Sequence, residues 1–559
     1  MYYRKSNTLT GRYPYKSSDK KGTWYPFPLT VFTMPTSALY TDLDVLIVGA
    51  GFSGLYQLYT LRPLGLRVKI FEAAPEIGGV WYWNTYPGAR VDTGCDSYQY
   101  SLKNIWRDWH WNELFPSQSA MQEYFHHVDR EWDLKKDIHL STRVKSAQWV
   151  EAEKKWIITT EDGALVRTRF FIVCTGVNSE PYIPKYEGLE LFTGACHHTA
   201  RWPRDGLSLA GKRIAVIGTG ASGVQVSQEA AKCASKLTVF QRTPNPCLPM
   251  RQRQINICKQ ELEEYKNLKE ELYPIMFTRM LQTPGGLAYM CVPQKTFSVT
   301  PEERRLFYEQ LYQRGGVALW LWGYNDVFTD KAANDEVYAF WRKKTLSRIK
   351  DPKLAEKLAP AVPQNAFGVK RDNVELVDLP ENPIERITEA GIVTKDGMEH
   401  PIDVLVMATG FDSITGGITA IDIKGKNGTT IREEWSQGTH TFLGVASSNF
   451  PNLFFINGPQ APTALSNEMQ GDWLTGLMKH AQTNKIEYIE ARREAEEGWR
   501  QLVMGINAMT LFSTGKSWYN GNNIPNKPVE PLSFVGGVPL YMQQCKECAE
   551  NNYQGFIVQ

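Results

Sequence analysis

A chain of 559 residues exceeds what one hydrophobic core holds together, so two or three packed domains are expected. Its 42% hydrophobic and 22% charged residues are ordinary for a globular protein, and a net charge of +2 without a dense basic stripe argues against nucleic acid as a partner. An aromatic share of 12%, with 17 Trp, suits either a thick core or a pocket for planar ligands.

Nine scattered cysteines, an odd number, indicate reduced thiols and a cytoplasmic setting. Cys545 and Cys548 form a lone CxxC, which without a second pair reads as incidental, and no metal site is expected. No apolar run is long enough to span a bilayer. Residues 1–41 carry Asp19 as their only acid and lack the apolar centre of a signal peptide; they read as a disordered arm, with Met34 as an alternative start.

The first strand is expected at Leu43–Val48, a buried parallel type by its Val, Ile and Leu content. It runs into Gly49-Ala50-Gly51-Phe52-Ser53-Gly54 and an apolar helix, and Arg67–Glu72 gives a second strand ending in an acid. The same plan recurs at Arg213–Ile217, Gly218-Thr219-Gly220-Ala221-Ser222-Gly223, a helix, and Lys236–Gln241 ending beside Arg242. Phe170–Val173 and Val404–Met407, each followed by a small-residue turn, read as returns of the chain to a sheet near each domain crossing. Charged helical sequence such as Lys259–Glu271 and Pro301–Arg314 forms an insertion over residues 250–360 that caps a cleft.

Two copies of one strand–turn–helix–strand plan predict an α/β fold with two Rossmann-like dinucleotide-binding domains. The first is expected to be discontinuous, residues 42–185 and 395–559, with the second, residues 186–394, set between the halves.

In the first motif Gly49 permits the tight turn, Gly51 lets a pyrophosphate approach the backbone, and Gly54 lets helix pack on strand. Glu72 stands about 20 residues on, where a carboxylate accepts ribose hydroxyls and repels a 2′-phosphate, which selects FAD or NAD over NADP. The second motif (Gly218, Gly220, Gly223) has Arg242 and Thr243 at the equivalent place, and a guanidinium there matches the oxygens of a 2′-phosphate. A solvated surface arginine and a bare glycine turn are the plain alternatives for each feature taken alone.

Between the two motifs lies Phe192-x-Gly194-x-x-x-His198-x-x-x-Trp202-Pro203, which resembles the fingerprint of the type I Baeyer–Villiger monooxygenases. The run Gly78-Gly79-Val80-Trp81-Tyr82-Trp83-Asn84-Thr85-Tyr86-Pro87-Gly88-Ala89-Arg90-Val91-Asp92 is similar to the same family. So are Phe115-Pro116-Ser117-Gln118, Arg242-Thr243-Pro244, Ser517-Trp518-Tyr519 and Phe534-Val535-Gly536-Gly537. N- and S-oxygenating relatives usually end the fingerprint in another aromatic residue, so Trp202-Pro203 favours ketone oxidation.

The resemblance implies FAD on the first domain and NADPH on the second, with O₂ as cosubstrate. It places Trp81 and Tyr98 against the flavin, Trp518 at the nicotinamide ribose, and Ser53, Arg90, Val144, Thr219, Ser222 and Lys370 among the cofactor contacts. Asp92 and Arg371 form its catalytic pair, and His198 is a hinge between domains. The implied reaction passes a hydride from NADPH to FAD; reduced flavin takes up O₂ as a C4a-peroxide, and this adds to an apolar ketone to yield an ester or lactone. Trp320, Trp322 and Tyr324 suit a bulky apolar substrate, although core packing explains them equally.

The chain departs from the family twice. Phe367-Gly368-Val369-Lys370-Arg371 runs directly into Asp372-Asn373-Val374, so one arginine serves two family matches and the residues between them are missing. After Ala464-Leu465-Ser466-Asn467 the string Gln470-Gly471-Asp472 arrives early. Oxygenation of nitrogen or sulfur, and a flavoprotein that is a sensor or an uncoupled NADPH oxidase, are therefore the competing readings.

Overall fold

The computed structural model describes residues 41–559, apart from 256, 258–260, 361–372, 463–465 and 516. The expected N-terminal arm lies outside the described residues except for Thr41, which opens the first strand.

Strand β1 (Thr41–Val48) is apolar through its second half and buried on both faces, as a central parallel strand must be. The chain continues through β2 (Val68–Phe71), β3 (Ile138–His139), β4 (Val144–Val150), β5 (Lys155–Thr160) and β6 (Leu165–Val173). β2 and β6 flank β1 in parallel, β3 pairs in parallel with β2, and β4–β5–β6 form an antiparallel meander.

The second sheet takes β7 (Ala195–His198), β8 (Arg213–Ile217), β9 (Lys236–Gln241) and β10 (Val374–Asp378). A small antiparallel sheet of β11 (Ile384–Ile387), β12 (Gly391–Thr394) and β13 (Glu399–Pro401) follows, and then β14 (Val404–Met407). The order is β10-β9-β8-β14-β7, parallel throughout. Finally β15 (Asp422–Lys424) and β16 (Leu453–Phe455) return to the first sheet, on β4 and β6.

One strand corrects the sequence expectation. Val404–Met407 lies beyond the boundary expected at residue 394, yet it sits between β7 and β8 in the second sheet. Its four apolar residues are all buried, a burial that only a central position with neighbours on both sides supplies.

The insertion is helical, as expected. Helix Pro301–Arg314 starts at a capping box of Thr300 and Glu303 with Pro301 in its first turn, and Asp330 and Asp351 cap Lys331–Leu346 and Pro352–Leu358. Tyr324 is buried in this helical core, and Trp320 and Trp322 are half-buried against it. Among the described residues no helix is long and apolar enough to cross a membrane, and no group of His, Cys, Asp and Glu is arranged to hold a metal ion.

Candidate active site

Each glycine motif joins a strand end to a helix start, and the three glycines of each do different work. Gly49, at φ +102°, passes so close to β6 that a Cβ would stand 2.5 Å from the Cys174 carbonyl oxygen; on Gly54 it would stand 1.8 Å from the Gly49 oxygen. Gly218, at φ +110°, and Gly223 are confined in the same way, at 2.2 Å from the Ala408 and Gly218 oxygens. These outer glycines serve the packing of helix on strand. The middle glycines differ: a Cβ on Gly220 meets nothing within 4 Å, and on Gly51 it meets only the Gly79 backbone, 3.5 Å away. No side chain caps helix Phe52–Leu61 or helix Ala221–Cys233. Both turns therefore present open backbone and helix N-termini, the donor set that binds phosphate.

Glu72 follows β2 and is 5% exposed. Its carboxylate accepts the Ala50 N–H at 2.6 Å and the Ala74 N–H at 2.8 Å, so it is fixed beside the first turn. Burial pushes its carboxyl above the usual range, and these backbone donors partly offset that. At the second turn the Thr219 hydroxyl donates to the Thr243 carbonyl at 2.9 Å, which holds the exposed Arg242–Thr243 pair against the glycine loop.

A cleft of about 380 Å³ opens beside the first turn. Asp92 and Tyr98 line it, with the Tyr98 hydroxyl donating to Asp92 Oδ1 at 3.0 Å. Trp81 meets the Tyr98 ring edge-on, 6.0 Å between centroids, and its carbonyl accepts from the Gln118 amide at 2.6 Å. Phe52, Leu287, Val317 and Leu321 supply an apolar wall, the leucines and Val317 coming from the insertion. Trp518 is stacked on Tyr519 at 3.9 Å, and it is Tyr519 that reaches the cleft. Lys370 and Arg371 lie outside the described residues.

The fingerprint segment ties the two turns together. His198 is buried; its Nδ1 accepts the Ala200 N–H and its Nε2 donates to the Gly410 carbonyl, both at 3.1 Å. Burial lowers its pKa to about 4, so the imidazole is neutral. Gly194 lets the Phe192 ring fold back over it and the chain pass Asp403, because a Cβ there would stand 2.5 Å from both the Phe192 Cζ and the Asp403 oxygen. Trp202, followed by Pro203, is buried with Tyr86 and Val216. Just beyond, the Arg204 guanidinium lies 3.9 Å over the Tyr82 ring and donates to the Tyr82 carbonyl at 2.7 Å, gripping the Gly78–Asn84 loop.

Arg90, Ser53 and Ser222, also expected as cofactor contacts, have protein partners as well. Arg90 points its guanidinium at the Phe115 carbonyl, 3.3 Å, and at Glu113, 3.5 Å. The Ser53 hydroxyl donates to Asn467 Oδ1 at 2.5 Å, and Ser222 faces the Tyr86 phenol. Val144 opens β4, buried among Leu43 and Phe71. Sequence reasoning missed Gln225, Glu468, Leu287 and Val317. Asn467 stands within a family-like string, but nothing local marks the other four.

Two glycine turns, each after a central parallel strand of its own sheet, with a cleft beside the first, define a two-dinucleotide oxidoreductase fold. The flavin-binding monooxygenase-like family model matches residues 43–250. The chain is 45% identical over 551 residues to cyclopentanone 1,2-monooxygenase of Comamonas sp. (strain NCIMB 9872), covering 94% of this chain and 99% of that protein. The closed crystal structure of cyclohexanone monooxygenase superposes with a TM-score of 0.88 at 34% identity, covering 93% of this chain and 100% of that one. The OTEMO complex with FAD and NADP gives 0.87 at 34% identity, with the same coverages of 93% and 100%. The chain belongs to the Baeyer–Villiger monooxygenases, within the flavin-binding monooxygenases.

Proposed function

We propose that this protein is an FAD-containing, NADPH- and O₂-dependent monooxygenase that inserts oxygen beside the carbonyl of a small apolar ketone to give an ester or lactone. The contrast between the two turns carries the reading: a buried carboxylate, Glu72, beside one and an exposed guanidinium, Arg242, beside the other. A carboxylate accepts ribose hydroxyls and refuses a 2′-phosphate, whereas a guanidinium pairs with it. The open Gly220 and the uncapped helix starts fit phosphate-bearing cofactors at both turns. The ketones named for the relatives support a small cyclic substrate.

When bound, NADPH supplies a hydride and the flavin accepts it and activates O₂. The chain's part is to hold and to shield. The turn at Gly51, framed by Gly49 and Gly54, would hold FAD with Glu72; the turn at Gly220, framed by Gly218 and Gly223, would hold NADPH with Arg242 and Thr243. Asp92, oriented by Tyr98, sets the charge of the cleft wall, and Arg371 supplies the cation that stabilises negative charge on oxygen. Phe52, Leu287, Val317 and Leu321 exclude water from the reacting atoms. The FAD domain comprises residues 42–185 and the chain after β14; the NADP domain runs from 186 through β14 with the insertion at 250–360. The setting is cytoplasmic, supported by eight described cysteines that are all free thiols.

The test is a purified yellow protein that releases free FAD on acid precipitation and turns over NADPH with ester formed from cyclic ketones. Thioethers oxidised in preference to ketones would move the reading to sulfur oxygenation. NADPH converted wholly to H₂O₂ across a ketone panel would overturn it.

A further inference from the structure

Helix Leu262–Leu281, the longest of the insertion, is apolar on two sides. Its inner face carries Lys269, Tyr273, Phe277 and Met280, all buried, and packs on Trp106. The Lys269 ammonium donates to the carbonyls of Trp106 and Trp109, the latter at 2.8 Å, which fixes the helix to the first domain. The outer face carries a second apolar row. Leu268, Leu272 and Ile275 are 49%, 50% and 51% exposed, and their spacing of four and three residues sets them along one line of the helix. A row of large apolar side chains held in water on an anchored helix gains free energy when a partner covers it.

The charges around the row select that partner. Lys266 pairs with Asp108 at 2.9 Å and Glu270 with Arg107 at 2.8 Å, within the chain. Glu264 and Arg279, both exposed, stand at opposite ends of the row and within about 40° of its line. Among the described residues neither forms an ion pair. The midpoint between Glu264 and Arg279 falls between residues 271 and 272, and so does the midpoint between Leu268 and Ile275. A two-fold axis through that point, perpendicular to the helix, lays Leu268 on Ile275 of a second copy and brings the two Leu272 side chains together at the centre. The same axis sets Glu264 opposite the second copy's Arg279 at each end, the two ends about 22 Å apart. Such self-complementarity is what an isologous contact requires.

We propose that the outer face of this helix is a self-association surface, on which two copies of the chain pack antiparallel as a weak homodimer. One helix against its copy buries no more than roughly 1,000 Å² in total, the size of a reversible contact. Glu271, exposed at the edge of the row beside the axis, brings like charges near each other at the solvent rim and weakens it further.

Sedimentation velocity on the purified full-length chain, from about 1 to about 200 µM, reads the assembly. The wild type shifts from monomer to dimer across that range, and salt weakens the dimer. Leu272→Glu stays monomeric. Arg279→Glu and Glu264→Arg each weaken the dimer by about tenfold, because each opposes like charges at both ends; the double variant returns to within about threefold of the wild type. Should Leu272→Glu not fold, the two charge reversals and their combination decide alone. A wild type that is monomeric throughout, a Leu272→Glu dimer as strong as the wild type, or a double variant no stronger than the single ones would each overturn the proposal. So would a wild-type monomer that sediments with phosphatidylcholine vesicles, which assigns the row to a lipid surface. A chain that dimerises only once residues 1–40 are removed assigns the row to that segment and overturns the proposal as well.

Discussion

The Tyr86 phenol donates to the side-chain carbonyl of Gln225 at 2.8 Å and so fastens the strap that leads to Asp92 onto the helix of the second glycine turn. Gln225 also donates from Nε2 to the Arg90 carbonyl at 3.0 Å, and Gly88 passes so near that a Cβ would stand 2.8 Å from the Gln225 carbonyl oxygen. One glutamine thus sets the distance between the NADPH turn and the flavin cleft. Gln225→Leu removes both bonds, a loss of about 1–3 kcal/mol in total. Anaerobic stopped-flow should show flavin reduction by NADPH slowed by about tenfold, with FAD content unchanged; an unaltered rate would reduce the bridge to a packing contact.

The glycines separate fold from ligand. Gly220→Ala points its methyl into open space, so the thermal midpoint should hold while NADPH affinity drops by about tenfold. Gly223→Ala and Gly54→Ala collide with backbone and should destabilise by about 1–3 kcal/mol or more, seen as a lower melting temperature before any ligand is added. Gly51→Val should yield a folded protein without bound FAD. A Gly220→Ala protein that melts as early as Gly223→Ala contradicts this division.

Arg242→Ala should erase most of the preference for NADPH over NADH. Loss of a charge-assisted phosphate pair costs about 1.5–3 kcal/mol, roughly one to two decades in affinity, and NADH kinetics should barely move. Equal weakening of both cofactors would mean that the side chain supports the turn rather than the phosphate.

In the proposed reaction Arg371 is the cation assigned to the oxygenation step. Asn373, two places on, is anchored where its amide donates to the Ala231 and Ala234 carbonyls at 3.2 and 3.0 Å, and β10 begins at Val374. Arg371→Ala should leave reduction of FAD by NADPH largely intact and divert its product from ester to H₂O₂. Lys should rescue poorly, since a point charge on a flexible stem does not reproduce the planar fork. Undiminished ester from Arg371→Ala would assign the charge to another residue.

His198 gives the protein an acid limit. Its folded-state pKa is lowered from 6.5 to about 4, so as pH falls the unfolded chain takes up the proton first. This contribution to stability is complete above pH 6.5 and is lost as pH falls towards 4, by up to about 3 kcal/mol. Denaturant melts at neutral and acid pH should show the loss, and His198→Gln should reduce it. An equal acid loss in that variant would place the sensitivity in other groups.

The sequence by itself determined both strand–turn–helix units, the separation of Glu72 from Arg242, and the helical insertion. Each of these is written in neighbouring residues: runs of Val and Ile, glycines at fixed spacing, and caps such as Thr300 with Glu303. Only the tertiary structure decided which distant segments meet. It seated Val404–Met407 between β7 and β8, turned Arg90 towards Glu113, brought Tyr519 rather than Trp518 to the cleft, and set Gln225 against Tyr86. Glu468 is the clearest case. Its place on a helix was local information, but its neighbours, Tyr56, Tyr100 and Ser101, lie more than 360 residues away in the chain, and burial among them, which no local pattern records, pushes its carboxyl above the usual range.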